Sequence, residues 1–215
     1  MTKFRLVLFD MDGTLLKDRG IFVIAEKKGF LDELWRFIKD ESMEYYERSI
    51  EIAKLSKGFS KTEFLKIFRT VPLQKDAETV IKELKNKNIK TAIATDSYKF
   101  LADDLKERLG IDFTFANNLI IDDDIITGEL EIYNTELKED FSSDRIYSIC
   151  KSCVLEQLCK ELGIALVEVI AVGDSKVDIG MIKKAGLGIA LNASDEVKKH
   201  ADLVSDNLRI ILEYI

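Results

Sequence analysis

Two carboxylates one residue apart, Asp10 and Asp12, follow the apolar run Phe4–Phe9 and precede Gly13 and Thr14. Like charges so close, at the end of a buried segment, need an electrostatic reason. A hard divalent cation supplies one, because Mg²⁺ takes one or two protein carboxylates together with a substrate phosphate. Asp174, in "VIAVGDSKVD", is the second candidate ligand. One oxygen of Asp10 would then attack phosphorus and form an aspartyl-phosphate. Asp12 would protonate the leaving oxygen and afterwards deprotonate water. Thr95, in "TAIATDS", and Lys151 would hold phosphoryl oxygens and offset charge in a loose transition state. Gly13 would permit the close backbone approach that a phosphate requires.

Other chemistries fit less well. An EF-hand loop needs Gly at its sixth position and Glu at its twelfth, but Gly13 is fourth from Asp10 and Ile21 is twelfth. There is no Walker lysine loop and no G-x-S-x-G segment. The single histidine, His200, cannot build a metal–histidine cluster and is expected on the surface. Cys150, Cys153 and Cys159 lack a second Cys-x-x-Cys, so zinc is disfavoured. The expectation is three thiols on a buried or half-buried helix face.

These groups must be positioned by an α/β core. Nearly continuous apolar runs at 4–9, 89–94, 167–172 and 187–191 read as strands buried on both faces. Helical periodicity lies between them at 77–87, 98–109, 145–162 and 176–185, with Gly110, Gly163 and Gly186 as stops. The alternation predicts a doubly wound parallel sheet, whose ligands bind beyond the carboxyl ends of the strands. Residues 17–71 are too long for a βα loop and rich in aromatics, so they are expected to fold as a helical insertion with its own small core, ended by Pro72. Residues 115–133 flank "DDD" with strand-like runs and predict a hairpin flap with a solvated turn.

Composition narrows the partners. The 215 residues are 47% hydrophobic and 33% charged, with a net charge of −7. That balance suits a globular core and disfavours nucleic acid or an anionic membrane as partner. The apolar run before Asp10 is too short for a signal peptide or a membrane span, so a cytoplasmic protein is expected.

"DMDGTL", Thr95, Lys151 and "GDSKVD" also resemble, in order, the four motifs of the haloacid dehalogenase-like phosphohydrolases, and most of the chain is similar to their phosphoserine phosphatase branch. The resemblance implies a Rossmann-like core (1–16 and 72–215) and a helical cap (17–71) that closes over a small phosphorylated metabolite. It implies Asp10 as nucleophile, Asp12 as acid/base, and Mg²⁺ held by Asp10, Asp174 and the Asp12 backbone carbonyl, with Asp178 supporting the metal site. Met11, Thr95, Asp96 and Lys151 are the implied phosphate contacts. Three positions depart from that branch: Arg19 where a Glu usually meets the substrate ammonium, Asp96-Ser97 where Gly-Gly usually follows the hydroxyl, and Val177 in place of Asn. Arg19 is therefore expected at the mouth of the pocket, favouring a carboxylate, phosphate or polyhydroxyl oxygen over an amine. Phosphoserine itself is the alternative substrate. A signalling receiver domain would be nearer half this length and has no use for Asp12, and a catalytically silent scaffold would not need the four motifs.

Overall fold

A computed structural model of the chain describes residues 3–142 and 144–215. The first two residues of the expected N-terminal segment lie outside them. Seven strands form one sheet among the described residues: β1 (Leu6–Phe9), β2 (Lys90–Tyr98), β3 (Phe113–Asp122), β4 (Ile125–Glu131), β5 (Val169–Gly173), β6 (Leu187–Leu191) and β7 (Leu203–Ser205). Their order is β4-β3-β2-β1-β5-β6-β7, and every neighbouring pair is parallel except the β3–β4 hairpin. The order reverses at β1, which places its carboxyl end between those of β2 and β5. Alternate residues of β1 feed both faces. Val7 and Phe9 join one buried cluster, while Leu6 and Leu8 join the other.

Four helices follow β1 before the chain returns to the core: α1 (Gly20–Lys28), α2 (Leu31–Ile38), α3 (Tyr45–Leu55) and α4 (Lys61–Phe68). The chain leaves and re-enters the core side by side, with Lys17 N donating to Pro72 O and Gln74 N to Leu15 O. Phe30, Leu34, Phe64 and Phe68 are buried in the same cluster as Phe9 and Ile93. The insertion thus shares the central core instead of enclosing a separate one. An Arg69–Asp104 ion pair ties the end of α4 to α6 (Lys99–Leu109).

The hairpin docks on these helices. Gly58 N donates to Ile126 O and Ile126 N to Phe59 O. The expected solvated turn is only partly so, because Asp124 accepts from Thr62 N at 3.0 Å and from the Ser60 and Thr62 hydroxyls at the start of α4. Its carboxylate meets the exposed N–H groups of that helix, where negative charge is favoured.

Beyond α5 (Ala77–Asn86) and α6, the remaining helices are α7 (Lys151–Leu162), α8 (Ile179–Lys184) and the short α9 (Asp195–Lys198). Helix α7 starts six residues later than the periodicity predicts. Residues 145–150 instead bond to other segments, with Tyr46 N donating to Ile146 O and Asn134 N to Ser148 O. Cys150 is the cap. The cysteine expectation also fails: Cys150 and Cys153 are joined by a disulfide, and only Cys159 remains a buried thiol. Their positions at the cap and the third helical residue bring both sulfurs over one turn. Strand β7 has no counterpart in the sequence reading, since a three-residue strand whose valine, Val204, is exposed gives little periodic signal. His200 is exposed, as expected. No helix among the described residues is long and apolar enough to cross a membrane.

Candidate active site

Asp10 lies just past β1, with its N–H donating to Val172 O of β5. A tight turn follows, in which Leu15 N and Leu16 N both donate to Met11 O. Met11 packs its side chain in the core, so only its backbone faces the turn. Gly13 sits at φ 86°, and a Cβ there would come within 2.5 Å of Asp174 Oδ2. The missing side chain therefore makes room for Asp174, a carboxylate rather than the phosphate expected from the sequence. The turn leaves Asp10 and Asp12 only 4% and 9% exposed.

Lys151, the first residue of α7, is fully buried. Its ammonium donates to Asp10 Oδ1 at 2.5 Å and to Asp178 Oδ1 at 2.6 Å. The other oxygen of Asp178 accepts from Asp174 N, Ser175 N and the Ser175 hydroxyl. Asp178 is thereby saturated and holds both Lys151 and the loop that carries Asp174. Gly173 allows this closeness, since a Cβ would fall 2.4 Å from Asp178. Asp174 is half-exposed and accepts a bond from the Thr14 hydroxyl at 3.3 Å.

Charge follows the burial. Asp12 Oδ1 accepts the N–H of Gly20, which opens α1, at 2.6 Å. Desolvation nevertheless outweighs that bond and pushes the Asp12 carboxyl up to about 7. Asp10 is raised by burial while Lys151 opposes the shift. Burial works against the Lys151 charge, yet Asp10 and Asp178 hold its ammonium above the ordinary lysine value. Asp10, Asp174 and Asp178 bring ligand oxygens within 4.8 Å of one another. The Asp12 side chain stands outside this trio, turned towards α1. The donor set is all carboxylate, which suits a hard cation and not zinc.

Thr95 is fully buried, and its hydroxyl accepts from Ser97 N at 3.2 Å. Asp96 is exposed in the cleft above it. Arg19, the residue before α1, is exposed on the same cleft wall, where desolvation is outweighed by Asp96, Asp174, Asp10 and Asp12 holding its guanidinium charged. An inner cavity of about 80 Å³ contains Asp10, Asp12, Arg19, Asp96 and Val177. An outer one of about 470 Å³ shares Arg19 and Asp96 and extends to Tyr45, Arg48 and Tyr147.

The structure adds residues that the sequence reading did not single out. Arg48 is buried, donates to the carbonyls of Ile38 and Met43, and lies 4.7 Å from the Tyr45 ring. Tyr45, Arg48, Ser49 and Ile52 line the cleft at helical spacing, so the face of α3 was the signal. Asn117 is fully buried and donates to Asp96 O at 2.7 Å and to the Ser148 hydroxyl at 2.9 Å. A polar residue inside a strand-like run was its only sequence mark.

Residues 4–186 match the family model of the haloacid dehalogenase-like hydrolases. The chain belongs to that family. It is a hydrolase, and its relatives are phosphatases. It is 36% identical to a phosphoserine phosphatase of Methanocaldococcus jannaschii, covering 99% of this chain and 98% of the relative. A phosphoserine phosphatase of Lactococcus lactis is 31% identical over 98% of this chain and 94% of its own. Among solved structures, a substrate-bound phosphoserine phosphatase complex superposes with a TM-score of 0.84 at 32% identity, covering all of both chains. A phospho-aspartyl intermediate analogue of phosphoserine phosphatase gives 0.83 at 33% identity over 99% of each.

Proposed function

We propose that this phosphatase is a Mg²⁺-dependent phosphomonoesterase that cleaves a small phosphorylated metabolite through an aspartyl-phosphate on Asp10. One observation carries the reading. The Asp10 carboxylate, fixed by the Lys151 ammonium, lines one cavity with Asp12, whose carboxyl burial raises to about 7. An acid that must first give and then take a proton works best near the operating pH.

Lys151 fixes one oxygen of Asp10, and the other attacks phosphorus. As that bond forms, the bond to the leaving oxygen breaks and Asp12 supplies its proton. Asp12 then takes a proton from water as water attacks phosphorus, which frees phosphate and restores Asp10. Asp10, Asp174 and the Asp12 carbonyl would hold Mg²⁺, with Asp178 as support. When bound, the cation neutralises phosphate charge and the repulsion among the carboxylates. The Met11 backbone, Thr95, Asp96 and Lys151 form the phosphate end of the cleft. Residues 17–71 serve as the cap over the core of 1–16 and 72–215.

Arg19 is assigned to the far end of the substrate, where its planar fork binds an anionic or polyhydroxyl group. The full-length relatives favour phosphoserine as the second reading, with Asp96, which lines the same cleft as Arg19, facing the substrate ammonium. A panel of metabolite phosphates with Mg²⁺ tests both readings, with phosphate release as the measurement. Asp10→Asn is expected to abolish turnover on every substrate while preserving the folded state. Near-wild-type hydrolysis by a verified Asp10→Asn protein overturns the nucleophile.

A further inference from the structure

The disulfide occupies a particular place. Cys150 caps α7, Cys153 lies one turn on, and Lys151 stands between them. Cys150 is buried and Cys153 half-buried. Both line a surface cleft of about 200 Å³ with Tyr133, Asn134, Glu136 and Gln157, which shares no residue with the catalytic cleft. A reductant can therefore reach the pair without entering the phosphate site.

Both oxidation states have partners in place. Cys150 Sγ accepts the Cys153 N–H at 3.2 Å. Asp140 Oδ2 lies 3.9 Å from the same sulfur, ready to accept from a Cys150 thiol. Asp140 is itself buried and held by Ser142 and Ser152. The Cys150 sulfur thus has a donor beside it as a disulfide and an acceptor beside it as a thiol. Cys159 stays apart, because burial pushes its thiol up to about 11 and suppresses its thiolate.

We propose that Cys150 and Cys153 form a reversible thiol–disulfide site, reduced by a dithiol and coupled to the position of Lys151. A thiolate of the dithiol attacks the more accessible Cys153 sulfur. The S–S bond breaks, and Cys150 leaves with the electron pair at the N-terminus of α7, where helix N–H groups favour its charge and the Asp140 carboxylate opposes it, so a proton follows and the thiol donates to Asp140. The second thiol of the reductant then attacks the mixed disulfide. This releases Cys153 as a thiol and the reductant as its own disulfide, with two electrons transferred in all. Reduction loosens the join between residues 145–150 and the first turn of α7, which carries Lys151. An ångström of misplacement in a positioning group costs roughly a hundredfold. A fraction of that movement predicts a roughly threefold to tenfold fall in kcat on reduction. This coupling rests on the phosphatase reading above.

The test equilibrates the full chain with reduced or oxidised dithiothreitol, then splits each sample. One half is denatured and alkylated for mass spectrometry; the other is assayed on p-nitrophenyl phosphate with Mg²⁺. The oxidised chain should alkylate at Cys159 alone and the reduced chain at all three cysteines. kcat should fall on reduction and return on reoxidation, with KM little changed. Cys153→Ser should sit at the reduced level and respond to neither reagent; Cys153→Ala serves if that variant fails to fold. Three alkylated cysteines after oxidation would overturn the pair. Equal kcat in both wild-type states would overturn the coupling. Absence of turnover in both states refutes the phosphatase reading and with it the coupling, while the alkylation count still decides the pair.

Discussion

Replacing Asp12 with Asn should slow catalysis and stabilise the protein, and the gain should depend on pH. The carboxyl is raised from an ordinary 3.8 to about 7 by burial. Its folded pKa thus exceeds its unfolded one. The stability contributed by its proton is fully present below about 4 and is lost as pH rises through 7. Three units at about 1.4 kcal/mol each amount to about 4 kcal/mol at pH 8. Asn keeps an acceptor for the Gly20 N–H and never ionises, so the variant escapes this loss. For a chain of this length, about 4 kcal/mol corresponds to a Tm difference of roughly 8–16 °C. The assay is thermal unfolding of both proteins in chelated buffer from pH 4.5 to 8. The difference should be small at the acid end, grow towards neutrality and level off above it. A difference that is constant over this range would refute the assignment of a neutral Asp12 in the folded state. The same proton makes kcat/KM on an alkyl phosphate fall above pH about 7, and Asp12→Asn should lose about 10²–10⁴-fold in kcat.

Chelation should abolish turnover, Mg²⁺ should restore it, and excess Ca²⁺ should inhibit because its higher coordination number engages both oxygens of Asp10. Full activity in a chelated preparation would exclude the metal model. Gly13→Ala forces a side chain at φ 86° against Asp174, so it should cost about 1–3 kcal/mol in chemical denaturation and depress activity by displacing that carboxylate. Arg19→Glu should lower kcat/KM on the best acidic or sugar-like substrate by roughly tenfold to a hundredfold and shift preference towards amines. An unchanged preference, with wild type most efficient on phosphoserine, would restore phosphoserine as the substrate.

Much of the molecule is legible in the chain because its strongest signals are local. Near-continuous apolar runs mark β1, β2, β5 and β6, since strands buried on both faces carry no alternation. Asp10, Asp12, Asp96 and Asp174 stand at the ends of such runs, and the parallel order alone delivers them to one edge. Lys151 is different. Its sequence position suggests a phosphate contact, but only the packing of α7 against α8 and β2 buries its charge between Asp10 and Asp178. The Asp12 proton is likewise decided in three dimensions, because desolvation depends on what the fold stacks around a group and not on its neighbours in sequence. Gly13 shows the division within one residue. The turn motif calls for a glycine, but only the folded arrangement shows that Asp174 fills the space. The late start of α7 and the Cys150–Cys153 bond belong to the tertiary level too. Residues 145–150 exchange helical bonds for contacts with residues 46 and 134, which no periodicity in their own segment encodes.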